Sequence, residues 1–199
     1  MADSTPARAE ASLSVDPALS DRQRRENWFT ASPDPWIEIG RLEFGGDRTF
    51  ASTVERMITS AEPAQQPAME ASLLETLARP DLTPAGRRFI CHMLGRIGTA
   101  ACVSAVGHLL EDDRTADVAR LALDFLPGTQ VDESYRAALA KLSGAAKAGL
   151  IGSIGLRGDR EAIEPLTRIA LDDREDARVR AVAERAVERL TAATPAPRP

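Results

Sequence analysis

The chain has 199 residues, 25 Lys and Arg against 30 Asp and Glu, and a formal net charge of -5 with both signs interleaved. At a sequence pI of about 5.2 it lacks the basic footprint that counter-ion release from a nucleic acid requires, so a dedicated DNA or RNA binder is disfavoured. Aromatic residues make up only 4%, which leaves the core to small and aliphatic side chains and points to helices.

Residues 1–26 are polar and without sustained periodicity, and they read as a flexible tail. No apolar segment follows a basic start, and no run approaches the ~20 apolar residues that span a bilayer; no secretory signal and no membrane partner are expected, and the expected location is cytoplasmic. Residues 27–46 hold both tryptophans, Trp28 and Trp36, among prolines and glycines. This segment is expected to cap the first repeat, with anchoring of a partner as the alternative.

From residue 47 apolar residues recur at helical spacing in segment after segment. Phe50, Val54, Met57 and Ile58 form the first stripe, with Asp47 and Thr49 as candidate caps. Met69, Leu73 and Leu77 form the second, closed by Arg79-Pro80. Thr83-Pro84 opens the third as a cap followed by a proline, and Gly98 ends it. Val103, Val106, Leu109 and Leu110 come next, then Val118, Leu121, Ala122 and Phe125, stopped by Pro127-Gly128. Tyr135, Ala138 and Leu139 follow, with Asp132 as the expected cap, then Ala146, Leu150, Ile151 and Ile154. The last two stripes are Ile163, Leu166, Ile169 and then Val179, Val182, Ala183, Ala186, Leu190. No segment alternates with period two, so a sheet is excluded. The alternate prolines from Pro195 stop helix continuation and leave 192–199 as an extended tail.

Setting Leu94-Gly-Arg-Ile-Gly98 over Ile154-Gly-Leu-Arg-Gly158 brings Val103 over Ile163, Val106 over Leu166 and Asp112-Asp113-Arg114 over Asp172-Asp173-Arg174. One inserted residue then sets Val118 over Val179. With the helix pair between them, the repeating unit is about 30 residues and two helices, the signature of an α-solenoid.

The run Gly158-Asp-Arg-Glu-Ala-Ile-Glu-Pro-Leu-Thr-Arg-Ile-Ala-Leu-Asp-Asp173, continued by Ala177 to Leu190, resembles one HEAT-like repeat of the short bacterial kind found in phycobilisome-lyase-type proteins. Pro165, the acidic turn Asp172-Asp173 and the pair Val179-Arg180 carry the likeness. The resemblance implies an all-α, right-handed superhelix of about four helix pairs over 47–191, with Arg180 bonded to Asp172 or Asp173. It further implies a structure that acts by presenting surface.

Chemistry-bearing groups are sparse. Carboxylates at 111–113 and 172–176 lie in expected turns and serve helix starts. His108, beside Leu109 and Leu110, reads as a partly buried packing residue, and Cys91 and Cys102 as buried thiols. No nucleophile elbow, P-loop, dinucleotide fingerprint or His-Glu-x-x-His occurs, and no cofactor or metal is expected. The remaining signal is basic: Arg87, Arg88, Arg120, Lys147, Arg178 and Arg185, on helices that the resemblance places along the inner face. They read as solvated helix sides or as a partner-binding face, together with Trp28 and Trp36. The expected function is a non-catalytic scaffold binding another protein. The alternatives are an accessory lyase or chaperone for a chromoprotein and a phosphate-backbone binder.

Overall fold

A computed structural model describes residues 33–192. Trp28, the expected tail at 1–26 and residues 193–199 lie outside the described residues, and Ala192, expected to begin the second tail, closes the last helix. Among its described residues, the unit that begins at Asp34 consists of helices and the turns that join them, with no strand. Helix α1 (Pro35–Glu38) runs into a 3-10 turn, Ile39–Arg41. Helices α2 (Thr49–Ser60), α3 (Gln66–Leu77), α4 (Pro84–Ile97) and α5 (Ala100–Gly107) follow. A 3-10 turn, His108–Glu111, extends α5 and precedes α6 (Ala116–Leu123), α7 (Thr129–Ala138) and α8 (Gly144–Arg157). A further 3-10 turn, Arg160–Ala162, opens α9 (Ile163–Leu171), and α10 is Ala177–Ala192.

Local chemistry sets these boundaries. Thr83 Oγ1 accepts the Gly86 N–H at 3.0 Å, with Pro84 at the first helical position of α4, as the sequence reading expects. Gly158 ends α8 at φ 76°, a left-handed stop that costs glycine little. Asp132 is no cap: α7 starts at Thr129 after Gly128, and Asp132 instead binds Arg157, whose Nε donates to Oδ1 at 2.6 Å.

Consecutive helices pair as hairpins, α1 with α2, α3 with α4, α5 with α6, α7 with α8 and α9 with α10. Contacts also run between helices two apart, through α1, α3, α5 and α7 and through α2, α4, α6, α8 and α10. The apolar stripe of each hairpin is thereby covered by the next. Tyr135, Ile90, Leu94, Leu150, Ile154 and Leu166 are fully buried members of one continuous core. The described part of the aromatic segment from Asp34 onward joins it: Ile39 is fully buried and Trp36 is half-buried against the core. The Trp36 carbonyl accepts from Thr76 Oγ1 on α3 at 2.8 Å.

The 60-residue offset is visible in three dimensions. Helices α4 and α8 span 84–97 and 144–157, and the next helical stretches span 100–111 and 160–171. Ile90 and Leu150, Leu94 and Ile154, and Val106 and Leu166 are all fully buried. The inserted residue expected before Val118 is absent. Burial keeps the same offset in Ala119 and Val179, Leu123 and Ala183, Leu126 and Ala186, while Val118 is only half-buried. What resembles an insertion is a later helix start, because Asp176 caps α10 by accepting from the Arg178 and Val179 N–H groups. Phe125, expected in the core stripe, is 75% exposed; α6 ends at Leu123, and Leu126 fills the core position instead.

Glycines at equivalent places let the even helices meet closely. A methyl group on Gly95 would run into the Leu121 carbonyl oxygen of α6, and one on Gly155 would lie 3.2 Å from the Ala186 Cβ of α10. Gly152, one turn from Gly155, has open space around it. In urea denaturation, Gly95→Ala is expected to cost about 1–2 kcal/mol net, because backbone must move. Gly152→Ala is expected to gain about 0.5–1 kcal/mol from helix propensity. Equal effects at the two positions would contradict the close α4–α6 contact.

Candidate functional site

Polar groups concentrate at the joints between hairpins. Glu70 of α3, 4% exposed, accepts the Thr99 N–H at 2.8 Å and the Thr99 hydroxyl at 3.0 Å, holding the start of α5. Asp159, 7% exposed, caps the turn into α9 by accepting the Glu161 N–H and is bound by Arg136 of α7 at 2.5 Å. Arg157 donates to the Leu126 carbonyl at 2.9 Å and to Gly128 at 3.2 Å, as well as to Asp132. It also lies 5.8 Å from the centre of the Tyr135 ring. Tyr135 donates to Asp124 at 2.8 Å, and burial with the Asp124 charge beside it pushes the phenol well above its ordinary range. Ser153 donates to Asp124 and accepts from Arg120. A cleft of about 680 Å³ opens between the turns at 127–129 and 158–161, and its Arg136 and Arg157 are engaged in these bonds. The sequence reading missed this network; its one visible trace is a basic residue, Arg157, just before the helix-ending Gly158.

The basic residues singled out from the sequence separate into two groups. Arg120 binds Asp117 at 2.7 Å and Ser153 at 2.9 Å, and Lys147 forms a mostly buried ion pair with Glu175 ahead of α10. These two charges are spent inside the fold. Arg87 is half-buried, and its charge acts on Asp112. Arg88, Arg178 and Arg185 are exposed. Arg180 binds Asp173 at 3.1 Å, as the family resemblance implies, while Asp172 accepts the Arg174 N–H at 3.0 Å and shapes the turn. Asp112 does the same for Arg114 at 2.9 Å, 60 residues earlier. Pro165 is half-buried in the first turn of α9.

Between α8 and α10, Gly152, Gly155, Leu156, Val182, Arg185, Ala186 and Arg189 line a groove of about 220 Å³. Leu156 is 73% exposed. The guanidinium groups of Arg178, Arg185 and Arg189 have no hydrogen bond or ion pair among the described residues.

The histidines stand apart from the core. His108 is exposed, not packed as expected, because it stands two positions beyond the buried Val106 and so on the opposite side from the stripe; its Nδ1 lies 3.9 Å from Glu111. His92 is exposed on α4. Cys91 and Cys102 are buried and unpaired, and burial pushes both thiols up to about 12. Among the described residues no three His, Cys, Asp or Glu side chains gather as metal ligands, and no helix is long and apolar enough to cross a membrane. No protein-family model, curated protein or solved structure matches this chain.

Removal of a structural cation differs from removal of a surface one. Lys147→Ala strands the Glu175 carboxylate and is expected to lower stability by about 2 kcal/mol, whereas Arg185→Ala is expected to stay within about 0.5 kcal/mol. Urea midpoints for the two variants decide between this assignment and one in which both are surface charges.

The turn carries a pH signature of definite sign. The Arg114 guanidinium and N–H hold the Asp112 carboxyl down to about 2, so its contribution is present above the ordinary carboxylate pKa of about 3.9 and lost as pH falls towards 2. Asp112→Asn is expected to flatten the loss of stability between those values, measured by thermal unfolding across pH; an unchanged slope would remove the turn from the account.

Proposed function

We propose that this protein is a HEAT-like solenoid that acts as a non-catalytic scaffold, binding another protein through the surface its stacked hairpins present. The observation that carries the reading is the equivalence of residues 60 apart. Leu94 and Ile154, Val106 and Leu166, Gly95 and Gly155, and the turn carboxylates Asp112 and Asp172 hold matching places in every second hairpin. Contacts between helices two apart support stacking of the hairpins, since stacked repeats bury their stripes only against one another; the right hand of the superhelix is what the HEAT-like resemblance implies. Such an array exposes long rows of side chains, and protein recognition is the use that suits them. Trp36, seated on α3 through the Thr76 hydrogen bond, supports the capping role of the segment before the repeats.

A phosphate-backbone track is less well supported. Between Arg88 and Arg178 the basic row is interrupted where Asp117 and Glu175 neutralise Arg120 and Lys147. Affinity capture with the full chain, followed by titration of the purified partner, tests the reading. One stoichiometric protein partner with a Kd at or below about 10 μM is expected. Recovery of a tetrapyrrole-bearing partner would replace it with the accessory-lyase reading. Salt-dependent retention of nucleic acid alone would replace it with a phosphate binder.

A further inference from the structure

We infer that the groove between α8 and α10 receives an acidic amphipathic helix of a partner protein; this deepens the scaffold reading and rests on it. The floor is apolar and close, with Gly152, Gly155 and Ala186 beneath and Val182 and the exposed Leu156 at the sides. At about 220 Å³ it falls below the ~300–1,000 Å³ of small-molecule sites and suits one or two apolar side chains. Arg185 and Arg189 stand on its edge. Arg178 shares their face, because positions 178, 182, 185 and 189 follow helical spacing along α10.

These guanidinium groups are the selective feature. Arg120, Arg136, Lys147 and Arg157 each bind a carboxylate within the fold, whereas Arg178, Arg185 and Arg189 bind none among the described residues. Glu184 and Glu188 are exposed on α10 but do not line the groove. An apolar floor edged by unpaired arginines is complementary to an apolar anchor flanked by carboxylates, which guanidinium meets in two parallel hydrogen bonds. The row from Arg178 to Arg189 extends about 16 Å at 1.5 Å per residue, three turns of a partner helix. A nucleic acid would leave the apolar floor unused and finds no continuous basic row beyond it.

The test pans the immobilised full chain against displayed 16-residue peptides with leucines fixed at i, i+4 and i+7 and all other positions randomised. Enrichment of Asp and Glu beside the leucines is expected. Fluorescence anisotropy on an enriched peptide should then show at least about tenfold weaker binding for Arg185→Glu/Arg189→Glu and for Leu156→Glu. The Arg185→Lys/Arg189→Lys variant should lose about threefold or less, since charge is kept. Circular dichroism checks that these exposed substitutions leave the helices intact. Neutral or basic selected peptides, unchanged affinity in the charge-reversed variant, or failure to enrich any peptide would overturn the inference. So would tighter groove-dependent binding of a 16-nucleotide DNA, or a dimer that Leu156→Glu splits in gel filtration. A partner captured equally by wild type and by Arg185→Glu/Arg189→Glu leaves the scaffold standing and removes the groove; no protein partner for either removes the scaffold itself.

Discussion

A hairpin of two short helices cannot cover its own apolar stripe, and that constraint governs the molecule. Helices of four to sixteen residues are marginal alone in water, so they are stable because packed neighbours, adjacent in sequence or two helices away, complete their burial. Small residues are the means. With Gly95 against α6 and Gly155 against Ala186, the backbones of the even helices approach closely, which is how a core poor in aromatics brings its short side chains into contact.

Apolar contact alone is non-directional and would leave the angle between hairpins loosely defined. Direction comes from the joints. Glu70 on Thr99, Arg136 on Asp159 and Arg157 on the Leu126 carbonyl are partly buried, satisfied polar bonds of the kind that specify one arrangement. Each reaches from one hairpin into the turn of another. The surface charges that remain unpaired are therefore those the architecture has no use for.

Much of the helical content was legible because period and punctuation agree: Thr83-Pro84, Gly98, Pro127-Gly128 and Gly158 bracket stripes that the structure buries. Failures fell where local signals compete. Asp132 has the chemistry of a cap, yet Gly128 starts α7 earlier and frees the carboxylate for Arg157. Phe125 fits the stripe by spacing, but α6 ends before it. The basic residues could be found by type and position, whereas their division into Lys147 with Glu175 and unpaired Arg185 depends on side chains 28 positions apart, a distance that periodicity does not encode. Leu156, two positions beyond the buried Ile154, falls off the stripe by spacing alone, but that it borders a groove with α10 follows only from the packing of the two helices.

The pairing of Lys147 of α8 with Glu175 in the turn ahead of α10, together with the contact of Gly155 on Ala186, ties α8 to α10 at two places. For the helix proposed above, a cleft so braced already has its width before association. Binding of that helix then forfeits little conformational freedom on this side of the interface, so selectivity falls to rigid shape.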